Sequence, residues 1–508
     1  MVPRYLLPAA LLLVTTQAVI AQWIPIRTVP LIATDQGDFS PSIARGMGNL
    51  SFILDDPLRD PFLNPAKAGT LNRTFVFTSP IRNSWSNDEG RAVGTFWSSS
   101  QYKGSITNSL PFGTFGSWGD FFGGVVVAYQ GLASERVTTT LPSPLVAPTP
   151  VYSGSSTQND LGSNAHLFGL IGHRFPSSGI SVGGSISWAN YSAIDGVQLL
   201  YPGSTDIEQD GWSLESKVGI VADIADESKL EFLAGRGIFK ATHQVMSETF
   251  GRGPIPFISV IETNSDERRD WLLHGGYSRL INDSWKVGLI ATVNWKDHPN
   301  LPNYRLTDIP RDPGTSVAYN FGIGASWSRD NLFWGLEYIY EPIRSNTWAE
   351  FGEGGQVIFP PAIYPSDFKT IENFFDFSNH IIRVGHRGSS EEKWKWLEYR
   401  FGAQFHIYSY SLTQNDNILK TSRFFETDWL ETTLSGGLTA HIGQVDLMYT
   451  LQLVFGNGTV GNDHTFFTNT GELGASNAPD FLIAPAGDLV VDDITLVTQQ
   501  IAVVFALN

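Results

Sequence analysis

The chain has 508 residues, a formal net charge of -17 and no cysteine. The lack of cysteine excludes disulfides and thiol chemistry, and the negative charge argues against nucleic-acid binding, which needs a basic surface. Glycine (50 residues) and aromatic residues (13%) are abundant, whereas charged residues (16%) are scarce. This mixture suits a membrane barrel, which has glycine at crowded inward positions and aromatic rings at the membrane boundaries.

Residues 1–21 have the pattern of a secretory signal peptide. Arg4 supplies the positive charge, residues 6–14 form a short apolar core, and Val19 and Ala21 precede a predicted cut at Gln22. The apolar core is too short to span a bilayer as a helix. The pattern predicts export through the Sec pathway to the periplasm, the outer membrane or the outside.

Residues 22–71 are rich in turn-forming residues and show no periodicity. Three short motifs stand out, and their members are Gly46, Met47 and Gly48, then Asp55 and Asp56, then Asn64, Pro65 and Ala66. Because Asn-Pro often starts a turn, one interpretation of the last motif is an ordinary capped turn before the first strand.

The stretch 285–295 alternates between two kinds of side chain. One face carries Trp285, Val287, Leu289, Ala291, Val293 and Trp295, and the other carries Lys286, Gly288, Ile290, Thr292, Asn294 and Lys296. At roughly 3.3 Å per residue the two indoles lie about 33 Å apart along a strand. A tilt of about 40° projects this to roughly 25 Å, the height of the apolar band of an outer-membrane barrel. The pattern therefore predicts a lipid-facing surface between two aromatic girdles and a wet lumen behind it, with Trp327 and Trp334 as further girdle residues.

The same alternation recurs along the chain in segments longer than the five or six residues of most soluble strands. The predicted strands are 74–80, 91–102, 118–130, 164–174, 179–190, 212–223, 228–238, 269–281, 284–296, 315–328, 332–342, 374–387, 394–410, 431–442, 445–456 and 494–507. Short turns alternate with long segments near 131–163, 239–268, 343–373 and 457–493, as expected of short periplasmic turns and long outer loops. A β-propeller would instead show shorter strands and a repeat of about 40–50 residues.

The motifs at Gly46–Gly48, Asp55–Asp56 and Asn64–Ala66 resemble the N-terminus of FadL-type outer-membrane transporters and of the related PorV-type barrels of the type IX secretion system. The resemblance covers about thirty residues and the general barrel pattern. It implies a luminal plug that contains these motifs, and a barrel of fourteen strands. The sequence departs from the family pattern at Lys67, where glycine is usual, and by an insertion at 58–63.

Motif searches give no support for an enzyme, since no nucleophile elbow, HExxH, Walker or dinucleotide motif occurs in its required context. The predicted lumen-lining residues are of mixed sign, which suits struts that pair across the lumen better than an ion-selective pore. They are Lys286, Asn294, Lys296, Glu337, Glu398, Arg400, Gln404 and His406. Apolar runs in the outer loops could form a capture groove for an apolar ligand or could pack the loops over the mouth. Their residues are Ile255, Phe257, Val357, Phe359, Tyr364 and Phe481.

Together these observations predict an all-β protein, a transmembrane antiparallel β-barrel of 14–16 strands in the outer membrane of a Gram-negative cell. The predicted division is a signal peptide (1–21), a plug segment (22–71) and a barrel (72–508). The expected function is passive uptake of small hydrophobic compounds, of the long-chain fatty acid or aromatic hydrocarbon type, by a monomer without cofactor or metal. Expected partners are outer-membrane lipid, lipopolysaccharide and the ligand. Two alternatives remain open, namely a PorV-like barrel that binds exported proteins and a general porin.

Overall fold

The computed structural model describes residues 24, 26–27, 36–95, 98–140, 154–197, 204–225, 227–250, 257–298, 314–350, 357–358, 362–363, 368–389, 395–417, 420–460 and 489–507. The predicted signal peptide lies outside these residues. Three short helices occur within them, the 3-10 helices Ala44–Met47 and Pro65–Thr70 and the α-helix Asp60–Leu63. Among the described residues no helix has the length and apolar character needed to cross a membrane.

Nineteen strands occur in the described part of the chain. They are β1 (Thr74–Thr78), β2 (Ile81–Thr95), β3 (Ser98–Trp118), β4 (Phe121–Thr140), β5 (Gly154–Phe175), β6 (Ile180–Tyr191), β7 (Ser204–Ala225), β8 (Ser228–Phe250), β9 (Phe257–Asn282), β10 (Trp285–His298), β11 (Gly314–Arg329), β12 (Leu332–Glu350), β13 (Val357–Ile358), β14 (Ala362–Ile363), β15 (Lys369–Ser389), β16 (Leu397–Asp416), β17 (Thr421–Ile442), β18 (Val445–Val460) and β19 (Leu489–Leu507). All except β13 and β14, which pair with each other, belong to one antiparallel sheet of 17 strands.

This sheet closes on itself because β19 pairs with β18 on one side and with β1 and β2 on the other. β1 and β2 share one position in the wall, since both lie between β19 and β3 and are separated only by Ser79 and Pro80. Hydrogen bonds from Ser79 N to Pro111 O (3.3 Å) and from Ile501 N to Pro80 O (3.0 Å) carry the pairing across this break. The result is a closed barrel of 16 strands, which confirms the predicted fold class and the sixteen strands counted in the sequence, whereas the fourteen implied by the resemblance are too few.

The two ends of the barrel differ in the length of their connections. One end carries the short turns and the C-terminal end of β19, and the other carries the longer connections. The strands reach farther toward the second end than the sequence predicted: β4 and β5 leave only 141–153 between them, and β8 and β9 leave only 251–256. The predicted bounds of these two loops, 131–163 and 239–268, were therefore wrong. The predicted strand 91–102 was also wrong, because it straddles the turn between β2 and β3.

The outward face is apolar between two aromatic zones, whereas the inward face carries most of the buried polar side chains of the strands. Leu289, midway along β10, is 50% exposed to the outside, and the inward Asn294 of the same strand is fully buried. Near the short-turn end, Trp285 pairs in register with Trp327, and Trp327 pairs with Trp334. Toward the other end, Trp295 pairs with Trp271 of β9. Such a surface matches the hydrocarbon core of a membrane and its two interfaces.

The described part of the N-terminal segment lies inside this barrel. From residue 36 onward it descends toward the short-turn end and leaves the lumen where β1 begins. Its backbone lies so close to the wall that side chains would not fit at some inward positions. A Cβ on Gly402 would lie 2.0 Å from the Gly48 nitrogen, and a Cβ on Gly183 would lie 2.8 Å from the Pro65 carbonyl oxygen. Glycine on the wall therefore makes room for the segment inside it.

Candidate functional site

The lower lumen, nearer the short turns, is filled by a turn of the N-terminal segment held by one carboxylate. Glu337 of β12 is fully buried, and its Oε1 accepts hydrogen bonds from the backbone nitrogens of Ser51 (2.8 Å), Phe52 (2.8 Å) and Ile53 (3.2 Å). Its Oε2 accepts from Ser51 Oγ (3.0 Å) and lies 3.4 Å from Arg383 Nη1. Arg383 also donates to Gln404. Successive N–H groups around an anion form a strong, charge-assisted site.

A second set of contacts fixes residues 60–67 against β7 and β8. Lys67 Nζ lies 3.0 Å from Glu231 Oε2, and the Asn64 side chain donates to the same oxygen (3.4 Å) and accepts from Ala66 N (3.1 Å). Pro65 and Ala66 are buried beside the wall. Lys67, at a position where the resemblance implied glycine, thus supplies an ion pair to the wall.

Burial and the charges around this contact shift the pKa values of two groups in the N-terminal segment. Burial would lower the pKa of Lys67, but Asp60 and Glu231 outweigh it and raise that pKa above its usual value. Burial raises the pKa of Asp60 to about 7, although the positive charge of Lys67 opposes the rise. Asp60 therefore titrates near neutral pH, unlike an ordinary aspartate.

The adjacent residues Asp55 and Asp56 have different roles. Asp56 is buried and caps its own segment, since it accepts from Ser42 Oγ (2.8 Å), Ala44 N (3.2 Å) and Arg59 N (3.4 Å). Asp55 instead faces open space at the lower end of the lumen and pairs with Lys286 Nζ at 3.0 Å. One aspartate therefore shapes the segment, and the other ties it to β10.

The Gly-Met-Gly motif packs against β15, β16 and β17. Met47 is fully buried, and a Cβ added at Gly46 would lie 3.4 Å from Arg400 Nε. The Gly48 nitrogen donates to Ser435 Oγ at 2.8 Å. Arg400 is itself buried and lies 3.5 Å from Glu398. The motif thus lies beside a cation of the wall.

In the upper lumen an aromatic wall covers the inner face of β15, β16 and β17. It consists of Phe375, Phe377, Tyr408, Tyr410 and Trp429, and all five are buried. Tyr410 contacts the rings of both phenylalanines, with centroids 5.7 and 5.0 Å away. Tyr408 stacks on Trp429 (4.6 Å) and on His406 (3.7 Å). Such a surface can bury flat or aliphatic apolar groups by area and by ring stacking.

The first described residues of the chain lie against this upper region. Ile24 and Ile26 are fully buried, and Ile24 N donates to Asn294 Oδ1 at 2.8 Å. Arg27 lies over the Tyr408 ring, 5.8 Å from its centroid, and pairs with Glu431 at 3.1 Å. Lys296, another lumen residue predicted from the sequence, is buried, and it pairs in register with Asp270 of β9. The aromatic wall is therefore occupied on its luminal side by the chain itself.

Sequence reasoning did not single out the aromatic wall. Its signal was present, because Tyr408 and Tyr410 stand at inward positions of a strand whose inward face should be polar or small. Of the predicted loop residues, Phe257 begins β9 and Val357 lies in β13, but their side chains fall outside the described part of the structure. Ile255, Phe359, Tyr364 and Phe481 lie outside the described residues altogether. Those residues that are described include no group of acidic and histidine side chains that could hold a metal ion.

No protein-family model and no curated protein matches this chain. Solved structures do resemble it. A Pseudomonas aeruginosa FadL homologue has 11% identity and a TM-score of 0.43, covering 95% of this chain and 100% of that one. The Ralstonia pickettii toluene transporter TbuX has 11% identity and a TM-score of 0.39, covering 92% and 98%. The Pseudomonas putida toluene transporter TodX has 10% identity and a TM-score of 0.36, covering 91% and 96%.

Proposed function

We propose that this protein is a monomeric outer-membrane barrel that lets small hydrophobic compounds enter the cell passively. The observation that carries the proposal is the aromatic wall of the upper lumen. A general porin needs a polar, water-filled lumen, whereas five buried rings on one inner face favour an apolar solute. The outward face, with its apolar belt between tryptophan zones, supports a place in the outer membrane, and the pattern of residues 1–21 supports Sec export.

In this proposal residues 22–71 form a plug. The contacts of Glu337, Lys67 and Asp55 hold the lower part of the segment in the lumen and so oppose a permanently open pore. A solute reaches the aromatic wall when the first residues of the plug move off it, and it passes on to the periplasm when the rest of the plug shifts locally. The remaining predicted lumen residues act as struts that fix the plug or the wall, as Arg400 and Glu398 do.

A binding measurement tests the aromatic wall directly. Radiolabelled naphthalene and radiolabelled oleate are each titrated against the purified barrel and against Tyr410→Ala. Because an aromatic contact is worth about 0.5–1.5 kcal/mol beyond its buried area, we expect affinity to fall about fivefold or more. Phe401→Ala is the matched control: Phe401 lies on the same strand but faces outward, 59% exposed, and its loss should leave affinity unchanged.

The alternatives give different results in the same preparations. A barrel that binds neither probe and conducts ions steadily in planar bilayers is a general porin. A barrel that binds neither probe but retains exported proteins during purification is a PorV-like scaffold. Either result overturns the proposed uptake of hydrophobic compounds.

A further inference from the structure

The first residues of the connection that follows β6 do not stay above the barrel. Residues 192–197 turn into the upper lumen, where Ile194 is 1% exposed and Asp195 and Val197 are fully buried. Ile194 packs in an apolar cluster with Tyr191 and Phe239. Gly196 has a φ of 83°, a left-handed conformation that lets the chain reverse there. We call residues 192–197 the inner strap.

The wall of the barrel holds the inner strap by side-chain hydrogen bonds. Asn164 of β5 accepts from the backbone nitrogens of Ser192 and Ala193 (both 3.1 Å) and donates to the Ala193 carbonyl (2.9 Å). Ser105 of β3 donates to Asp195 Oδ2 at 2.7 Å. On the other side, Ile194 N donates to the side chain of Gln209 in β7 (3.1 Å).

The N-terminal segment holds the same strap through a single side chain. Gln36 Nε2 donates to the Ala193 carbonyl (3.1 Å), while Gln36 Oε1 accepts from Asp195 N (2.8 Å). The Gln36 amide thereby pairs with the strap as a neighbouring backbone would. Gln130 of β4 completes the arrangement, because its amide donates to the Gln36 carbonyl (3.1 Å) and its oxygen accepts from Gln36 Nε2 (3.2 Å).

The polar side chains at the centre of this arrangement lie away from water. Gln36, Gln130, Asn164 and Asp195 are buried. A buried donor or acceptor that loses its partner is costly, because water does not replace the lost bond. If the N-terminal segment moved near Gln36 while the strap stayed, the Ala193 carbonyl and the Asp195 nitrogen would both lose a bond. The strap and the segment therefore stabilise each other's closed position.

We infer that the inner strap is a gate at the outer mouth, latched to the N-terminal segment through Gln36, so that the two elements open together. The gate goes beyond the proposed uptake function in that it couples the outer entrance to the segment that fills the lumen below. It depends on that function only for what passes through, since the coupling itself exists without ligand. Linkage requires that loosening either element loosen the other.

The test uses the lack of native cysteine, which gives labelling no background. Val197→Cys is introduced as a reporter, and its reaction with a membrane-impermeant maleimide is followed on intact cells. We expect labelling to become about tenfold faster when Gln36→Leu is added, since both strap contacts are lost. Gln36→Glu keeps the oxygen that accepts from Asp195 N and loses the nitrogen that donates to the Ala193 carbonyl. Its labelling rate should therefore lie between those measured with no second substitution and with Gln36→Leu. Asn373→Ala, a buried polar residue on the opposite wall, should change the rate less than twofold.

The reciprocal experiment places the reporter on the other element. Ser40→Cys is labelled in the native background and with Asp195→Ala, which removes the bond from Ser105 and so loosens the strap from the wall while leaving the Gln36 contacts. Faster labelling of Ser40→Cys is expected. Folding of every variant is checked by the mobility shift of the unheated barrel on gels. Folded variants whose labelling is independent of Gln36 and Asp195 overturn the latch. If labelling depends on Gln36 and Asp195 but the barrel binds neither naphthalene nor oleate, the proposed uptake function is wrong and the gate stands. If the barrel binds either probe but labelling is independent of Gln36 and Asp195, the gate is wrong and the uptake function stands.

Discussion

Gly48 stands where the N-terminal segment turns against β15 and β16. Its φ is 66°, and a Cβ would lie 2.5 Å from the Ala403 carbonyl oxygen and 2.7 Å from that of Val384. The backbone conformation alone costs an alanine about 1–2 kcal/mol. We expect Gly48→Ala to accelerate hydrogen–deuterium exchange of the amides at 44–53 while the barrel stays folded. Gly436→Ala is the control, because its Cβ would meet nothing nearer than 3.7 Å; equal exchange in both variants would contradict the prediction.

Asp60 makes the N-terminal segment sensitive to pH. Burial raises its pKa to about 7, whereas the unfolded chain has a value of about 3.9. The folded state therefore binds the proton more tightly, and this stabilisation is full below about pH 4 and is lost as the pH rises through about 7. We expect the free energy of local opening at 56–67, measured by hydrogen exchange corrected for intrinsic rates, to be lower at pH 8 than at pH 5.

Asp60→Asn should remove most of this pH dependence, because the amide carries no charge at either pH. Asp283→Asn, in an exposed turn between β9 and β10, should leave the dependence as it is. If the opening free energy of Asp60→Asn depended on pH as strongly as that of the native protein, another group would be responsible for the effect.

Single residues show what the sequence could and could not predict. Alternation along 332–341 was enough to place Glu337 on the inward face, since polarity and period are local properties. Its partners at 51–53 could not be predicted, because they lie nearly three hundred positions away and no local pattern encodes them. The same applies to Gln36 and residues 193–195, whose pairing depends on how two connections meet inside the barrel.

At the scale of elements, prediction succeeded where the two faces of a strand meet different solvents. The strand predicted at 284–296 agrees with β10 (Trp285–His298), because lipid on one side and lumen on the other enforce the contrast. The outer half of β9 was missed, since a strand that rises beyond the membrane has water outside it and needs no apolar face. β2 and β3 were merged for a related reason, because the polar stretch 86–105 shows no period-two contrast.

The turn at 51–53 and strand β12 form one unit through Glu337. Glu337→Gln removes the negative charge, and the amide nitrogen it introduces cannot accept from Ser51 Oγ or Arg383. Hydrogen bonds to charged groups contribute about 1.5–3 kcal/mol, so exchange of the amides at 51–53 should accelerate on the order of tenfold or more. Glu215→Gln, which loses a wall contact to Lys217 at 3.5 Å, should leave those amides unchanged. Comparable acceleration in both variants would contradict this role for Glu337.

The whole molecule divides its lumen into a lower region filled by the N-terminal segment and an upper region lined by the aromatic wall. Below, the wall holds the N-terminal segment by ion pairs and hydrogen bonds and also by apolar packing, as of Leu50 and Ile53 with Phe333, and glycine on the wall makes room for the segment. Above, the aromatic wall meets the first described residues on one side of the lumen, and the inner strap is held by β3, β5 and β7 on the other. Because the closed wall pairs its own backbone throughout, changes inside the lumen need not disturb the barrel. The variants at Gly48, Asp60 and Gln36 can be tested in a folded barrel, because the wall does not depend on the lumen for its backbone hydrogen bonds.

The position of the whole barrel in the membrane gives a prediction that needs no ligand. Leu289 is 50% exposed and lies between Trp285 and Trp295, about 13 Å along the strand from the former. Arginine on the lipid face near the midplane costs about 2–4 kcal/mol, falling to about 0–1 kcal/mol near the interface. We therefore expect Leu289→Arg to lower the free energy of unfolding in phospholipid vesicles, measured by denaturant titration, by that larger amount.

Ile261 offers the matched substitution outside the membrane. It is 62% exposed on β9, ten residues beyond Trp271, which places it roughly 25 Å above the outer girdle for a strand tilted by about 40°. Ile261→Arg introduces the same charge on the same outward face, but water solvates it there. Its effect on the free energy of unfolding should be within about 1 kcal/mol of zero. Equal losses at the two positions would mean that the apolar belt between the tryptophan zones does not face lipid, and the barrel would have to be placed elsewhere.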